Sequence, residues 1–451
     1  MTAKISVIGL GKLGAPMLAV FAHKGFEVIG LDLNPAFVDA INAGQAPVVE
    51  PNLQELIDSS RSRIRATLDM REAVLNTDVT FIIVPTPSGS DLFFRNDYVI
   101  DALQSIGGAL REKQGYHVVV VTSTVMPGSM DGVLRETIEK AAGRKVGEHL
   151  GFCYNPEFIA LGSVVRDMMN PDMLLIGESD EKAGAFLEAI YRQSTESNPE
   201  FQRMSWVNAE LCKIAVNTYV TTKISYANMI AEMCDCLNGA DADVVTAALG
   251  ADSRIGKKYI RGAIGYGGPC FPRDNKAFAA LGRRLGIRPD IAEATDIIND
   301  HQTVRLQNVI QNAAAPGSRV AILGLSYKPN TPVIEESQGL ALAAALSDAG
   351  YNVSVTDPEA MSSLPAELPA RVIRAESAEA AVKDADVSVI MTAWAAYREL
   401  PGSLFGKGAK AQTVIDPWRI IRTEELDPSV RYVRLGKGDW MHVERAGMAA
   451  E

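Results

Sequence analysis

The chain has 451 residues, of which 47% are hydrophobic and 22% charged, and its formal net charge is −11. That length calls for about two to four domains rather than one core. The acidic balance, with no Lys/Arg run, argues against a nucleic-acid partner, although helix N-termini and single arginines can still hold an anionic ligand.

Five cysteines, Cys153, Cys212, Cys234, Cys236 and Cys270, are too irregularly spaced for a disulfide framework. Cys234 and Cys236 fall in a helical stretch, where they point about 200° apart, and the histidines are scattered, so no metal site is expected. The opening MTAKISVIGLG lacks a basic segment followed by an apolar one, and no apolar run approaches the roughly 20 residues of a membrane span. The expectation is a cytoplasmic protein with no membrane partner.

In chain order, ISVIGL reads as a buried strand, PMLAVFAHKG as a helix, and FEVIGLD as a second strand ending in an acid. Within that frame Gly9, Gly11 and Gly14 form G-x-G-x-x-G, with Lys12 and Leu13 between the second and third glycines. The first glycine permits the tight turn, the second lets a pyrophosphate approach, and the third lets helix pack on strand. Asp32 follows at the distance suited to a ribose 2′-hydroxyl, and no arginine stands behind it for a 2′-phosphate, which favours NAD over NADP. NTDVTFIIVPTP and YHVVVVTSTVMPG end two further strands, and Thr86 and Thr124 lie just beyond them, where such sheets bind ligands.

YNPEF follows the next strand and places Glu157 at a strand end, where it is either a site carboxylate or a plain helix-start residue. Trp206 to Asn238 is uninterrupted by Pro or Gly and reads as a helix roughly 50 Å long, apolar on more than one face and so covered on several sides. On it Lys213 and Asn217 lie four apart and share a face. Lys213 is either a snorkelling surface residue or a buried cation with a role in chemistry.

GYGGPCFPRD, Gly265 to Asp274, sets Cys270 among glycines and prolines just ahead of a predicted helix, DNKAFAALGRRLG, where a thiolate is favoured. A cysteine in a structural turn is the competing reading. From about residue 318 to 440 the first pattern returns: RVAILGLSYKPN, GYNVSVTDPEA and KDADVSVIMTAW match earlier pieces in the same order. This second unit lacks the second and third glycines, and Lys328 takes the place of the phosphate loop. The fold class is therefore α/β, with two Rossmann-like doubly wound domains joined by a helical domain with a long spine helix.

One NAD site, one nucleophilic cysteine, one cation and one or two carboxylates specify a chemistry. An alcohol is oxidised to an aldehyde, the thiolate adds, the adduct is oxidised to a thioester, and water releases an acid. Lys213 and Asn217 would stabilise the oxyanion, and Asp274 would orient water or take a proton.

These motifs, VIGLGKLG, STVMPG, NPEF, AELCKIAVN, SRIGKKYIRGAIGYGGPCFPRD and LGLSYKPNTPVIEES, resemble the UDP-glucose/GDP-mannose dehydrogenase family of NAD-dependent nucleotide-sugar 6-dehydrogenases. The resemblance implies an NAD-binding Rossmann domain over 1–204, a central helical dimerisation domain over 205–300, and a Rossmann-like sugar-nucleotide domain over 301–451. It implies a homodimer that oxidises a nucleotide sugar, a UDP-hexose, to the uronic acid. Cys270 resembles the family's nucleophile, Lys213 with Asn217 its oxyanion pair, Asp274 its water-activating aspartate, and Thr124 with Glu157 the pair assisting proton transfer. Arg254 is similar to an arginine reaching the neighbouring subunit's site, and Lys328 to the lysine on the phosphates. Phe158, Ile159, Tyr266, Gly267 and Arg419 are further candidates for substrate contact.

The chain departs from the family pattern at Arg273, where lysine is usual, and at Leu161, where a glutamate is common. Val333 and Glu335 stand where an aspartate and an arginine are usual. A two-electron β-hydroxyacid dehydrogenase and a non-catalytic NAD-binding scaffold are the competing functions. The first has no need of Cys270 or the second α/β unit, and the second none of Cys270, Lys213 and Asp274 together.

Overall fold

The computed structural model describes residues 3–406 and 412–438. The chain divides into two compact units, Met1–Ala215 and Val216–Glu451.

The first unit is built on one sheet of eight strands: β1 (Lys4–Ile8), β2 (Glu27–Leu31), β3 (Ile64–Thr67), β4 (Val79–Ile82), β5 (His117–Val121), β6 (Leu150–Tyr154), β7 (Met173–Glu178) and β8 (Glu200–Met204). Their order is β3-β2-β1-β4-β5-β6-β7-β8. The pairs from β3 to β6 are parallel, with Ile5 opposite Val28 on one side and Val79 on the other. β7 runs antiparallel to β6, and β8 follows β7. Runs such as HVVVV suit strands covered on both faces. Val7, Phe81 and Val120 point to one core layer with Phe21 of helix Gly14–His23, and Ile8, Ile82 and Val121 to the other with Leu103 of helix Asp97–Leu110. The order reverses between β1 and β4, and the carboxyl ends beside that reversal are where a doubly wound sheet receives a ligand.

The second unit carries β9 (Arg319–Leu323), β10 (Asn352–Thr356), β11 (Val372–Arg374), β12 (Val387–Ile390), β13 (Thr413–Ile415) and β14 (Arg431–Val433). All are parallel, in the order β11-β10-β9-β12-β13-β14. The repeated sequence pieces fall on β9, β10 and β12, which hold the places of β1, β2 and β4 in the first sheet. Ahead of this sheet come helices Ala242–Ala251, Phe271–Arg284 and Asp290–Ala313.

The long helix runs unbroken from Trp206 to Asp235, divided between the units at Ala215, and stops short of the expected Asn238. It ends in tighter turns, Cys236 N–H to the Met233 carbonyl and Leu237 N–H to that of Cys234, ahead of Gly239 at φ +79°. Its last residue, the fully buried Asp235, pairs with Arg305 of helix Asp290–Ala313 and accepts the Gly436 N–H at 2.6 Å. Among the described residues no helix is long and apolar enough to cross a membrane.

Candidate active site

In the first unit the glycine turn has the shape a dinucleotide requires. Gly9 has φ +95°, and a Cβ there would lie 2.2 Å from the Ile83 carbonyl oxygen, while one on Gly14 would lie 1.7 Å from that of Gly9. Nothing stands within 4 Å of a Cβ on Gly11, so the turn is closed below and open above. Leu13 at the N-cap of helix Gly14–His23 has no side chain able to cap; the Ala15 N–H bonds to the Gly11 carbonyl at 3.1 Å and Pro16 has no N–H, so the groups open to a ligand are those ahead of Ala15. Lys12 is exposed beside them. Asp32 accepts the Leu10 N–H at 2.6 Å and the Asn34 N–H at 2.8 Å, which fixes its carboxylate at the end of β2. Open backbone at Gly11, an uncapped helix start and an aimed carboxylate fit NAD.

The ends of β4 and β5 are tied together: buried Thr86 donates its hydroxyl proton to the Thr124 carbonyl at 2.8 Å. The loop after Thr124 is held from below by Glu210 of the long helix. This fully buried carboxylate accepts the N–H groups of Gly128 and Met130, both at 2.7 Å. Burial pushes the Glu210 carboxyl up to about 7, against the pull of those N–H donors. One turn further along the same helix, Lys213 is 6% exposed, which excludes the snorkelling reading. Its ammonium donates to the Glu157 carbonyl at 2.7 Å and lies 4.7 Å from the Phe158 ring centre. Phe158 and Ile159 rest on opposite core layers of the unit. Leu161, in the place of the family's glutamate, packs on the core as well, and Glu50 clamps the loop's far end through the N–H groups of Gly162 and Val164.

In the second unit Cys270 is exposed at the N-cap of helix Phe271–Arg284, with Pro272 in the first turn. Of the other cysteines Cys153 and Cys234 are buried, Cys212 is half-buried, and burial pushes all three thiols up; Cys236 is exposed at the end of the long helix. Asp274 is fully buried, accepting from Asn217 Nδ2 at 2.7 Å and from Arg273 at 3.0 Å. The cysteine loop is pressed against the segment after β9. Gly268 donates its N–H to the Glu335 carbonyl at 3.0 Å, and a Cβ on Gly267 would lie 2.2 Å from the Glu336 carbonyl oxygen. Tyr327 fills the space above Gly268, and burial, with the Cys270 thiol and Glu335 nearby, pushes its phenol up. Tyr266 is buried and donates to Asp296 at 2.6 Å.

Lys328 is half-buried, 5.9 Å from the Tyr327 ring centre. Val333 is buried and Glu335 exposed, so the two departures stand in unlike surroundings. Arg254 extends into solvent and pairs with Asp252 at 2.6 Å. Arg419 is engaged within the unit, pairing with Asp243 and donating to the Leu435 carbonyl at 2.6 Å. The second sheet's counterpart of Asp32 is Asp357, and it is saturated: it accepts from the N–H groups of Leu325, Ser326, Glu359 and Ala360 and from the Trp394 indole. No lone pair is left aimed at a ribose, which is why one sheet is shaped for a dinucleotide and the other is not.

Glu50, Tyr191 and Tyr327 carry no local sequence signal and are recognisable only once the loops are in place; Glu210 carries one, as a charged residue on an apolar helix one turn before Lys213.

A dinucleotide-binding sheet followed by a helical segment and a second nucleotide-type sheet defines an NAD-dependent oxidoreductase of two α/β domains. Known proteins narrow this. The NAD binding, central and UDP binding domain models of the UDP-glucose/GDP-mannose dehydrogenase family match residues 3–195, 207–301 and 321–423. A UDP-glucose 6-dehydrogenase of Haloferax volcanii is 36% identical over 94% of this chain and 99% of its own length. A GDP-mannose 6-dehydrogenase of Pseudomonas aeruginosa is 33% identical over 78% of this chain and 81% of its own. The structure of a UDP-glucose dehydrogenase from Pyrobaculum islandicum superposes with a TM-score of 0.86 at 33% identity, covering 97% of this chain and 98% of that one. The chain belongs to the UDP-glucose/GDP-mannose dehydrogenase family: it is a nucleotide-sugar 6-dehydrogenase with an NAD-binding domain.

Proposed function

We propose that the chain oxidises the C6 alcohol of a UDP-hexose to the uronic acid in two two-electron steps, through a thioester on Cys270. The observation that carries this reading is the exposed Cys270 at a helix N-terminus, a position that favours negative charge, one turn before the clamped carboxylate of Asp274. The glycine turn and Asp32 would hold NAD, which would supply the hydride acceptor, one molecule for each of the two oxidations.

The Cys270 sulfur bonds to the aldehyde carbon, and the carbonyl oxygen becomes an alkoxide that Lys213 and Asn217 stabilise. After the second oxidation, water attacks the thioester carbon, its proton passes toward Asp274, and the Cys270 thiolate leaves. Thr124 and Glu157 assist the earlier proton transfer from the alcohol, and Lys328 holds a phosphate of the substrate. The uridine reading is supported by the match that runs the full length of a UDP-glucose 6-dehydrogenase, against four-fifths of the GDP-mannose enzyme.

A homodimer is part of the proposal. Tyr219, Tyr226 and Met233 are exposed at seven-residue spacing on the long helix, which sets them on one face that a second copy would cover. In this dimer Arg254, which extends into solvent, serves the neighbouring copy's site.

The test counts NADH per sugar nucleotide consumed over UDP- and GDP-hexoses and their N-acetyl forms. Two per UDP-hexose with a uronic acid product supports the reading; one per substrate replaces it with a simple alcohol dehydrogenase. Unimpaired acid formation by Cys270→Ser removes the covalent route, and a monomeric sedimentation coefficient removes the dimer.

A further inference from the structure

The loop leaving β6 contains a hydrogen-bond chain whose proton count is determinate. Asn155 is fully buried, and its Nδ2 donates to the Leu175 carbonyl at 2.9 Å, which orients the amide so that Oδ1 is an acceptor. The Tyr191 hydroxyl donates to that Oδ1 and lies 3.3 Å from Glu157 Oε1. A phenol carries one proton. Spent on Asn155, it is not available to Glu157, so a hydrogen bond between Tyr191 and Glu157 has to be donated by the Glu157 carboxyl.

We infer that Tyr191 is a positioning residue that keeps Glu157 protonated and donating, with Asn155 setting the direction of the phenolic proton. The surroundings agree. The Glu157 carboxyl borders a cavity of about 10 Å³, room for one water at most. Helix Gly14–His23 presents Met17 and Phe21 to it, helix Val164–Met169 presents Met168, and β7 presents Leu174. The titratable groups facing Glu157 are Tyr191, from helix Glu181–Ser194, and Lys213, from the long helix, whose ammonium is directed at the main-chain carbonyl of Glu157. Burial pushes the Glu157 carboxyl up to about 7, against the charge of Lys213; a phenol donating to the ionised carboxylate would pull it down, and Tyr191, its proton spent on Asn155, has none left to donate.

In the reaction Glu157 then starts as an acid: it accepts a proton only after losing its own and parting from Tyr191. This consequence rests on the role proposed for Glu157 above; the protonation itself does not.

Infrared difference spectra of wild type minus Glu157→Gln isolate this carboxyl from Glu210. A protonated carboxylic C=O band is expected at about pH 5 and is expected to titrate away near 7. Tyr191→Phe keeps the ring against Phe21 and Phe81, at 6.1 and 6.4 Å, and removes the acceptor of the Glu157 proton. Its midpoint is expected to fall by about one pH unit, a tenfold loss of proton affinity. A midpoint that rises, as it would if Tyr191 donated to an ionised Glu157, overturns the inference, and so does an unmoved one. Absence of the band in wild type overturns it without any variant. If the band behaves as expected while Tyr191→Phe leaves the pH profile of turnover in place, the protonation stands and the reaction role of Glu157 falls.

Discussion

Asn217 donates to Asp274 at 2.7 Å, and Arg273 addresses the other carboxylate oxygen, so a fully buried charge is met on both sides by protein. That arrangement holds the carboxylate in place beside the helix start that carries Cys270. Asp274→Asn keeps the shape and removes the charge. Acid release is expected to fall about a hundredfold or more, with the sugar left on Cys270. The mass of the protein quenched during turnover checks this.

Gly11 and Gly14 separate cofactor binding from folding. Gly11→Ala places its methyl group in open space, so thermal stability is expected to hold while the KM for NAD rises at least about tenfold. Gly14→Ala drives a methyl group into the Gly9 carbonyl and is expected to cost about 3 kcal/mol or more. Denaturant melts paired with NAD titrations distinguish the two; a Gly11→Ala protein that binds NAD normally would remove the glycine turn from the site.

The two departures after Lys328 are expected to respond differently. Val333→Asp buries a carboxylate in an apolar position, with an expected cost of about 3 kcal/mol. Exposed Glu335→Arg is expected to change stability by less than about 0.5 kcal/mol. Lys328→Ala is expected to raise the KM for the sugar nucleotide by about tenfold and leave that for NAD in place. Steady-state kinetics with each ligand varied in turn provides the check, and equal losses would point away from a phosphate contact.

His117 and Glu210 give stability opposite slopes with pH. His117 is fully buried, bonded through Nε2 to Thr80 at 2.9 Å, and burial pushes it down to about 3. Below its unfolded value of about 6.5 the unfolded chain takes up a proton the folded one refuses, so this term weakens the fold as pH falls from 6.5 toward 3. Glu210 is raised from 4.5 to about 7, so the folded chain holds the extra proton there, and its term weakens the fold as pH rises from 4.5 to 7. His117→Leu is expected to flatten the acid side by about one proton, and Glu210→Gln to flatten the approach to neutrality. Urea unfolding between about pH 4 and 8 measures both slopes.

Much of the site was legible without coordinates because it obeys local rules. The glycine spacing, the acid at the end of FEVIGLD and the cysteine ahead of a helix are short-range patterns, set by backbone sterics and by the dipoles of helix termini. The repeat of three sequence pieces likewise announced the second sheet, and β9, β10 and β12 carry it.

What lay beyond reach was the partner of each polar group. Lys213 could be read from the chain as either a surface or a buried lysine, and its burial depends on the β6 loop folding over it. Glu210, Tyr191 and Glu50 act on residues 34 to 114 positions away, and no periodicity records such distances. Asp32 and Asp357 end equivalent strands, yet the second is saturated by its own loop. Residue type and local spacing were enough for the NAD-binding turn and the family's motifs, because both are short-range patterns. Which groups are charged, buried and aimed was decided by the tertiary structure, because desolvation and hydrogen-bond pairing depend on neighbours that only folding brings within reach.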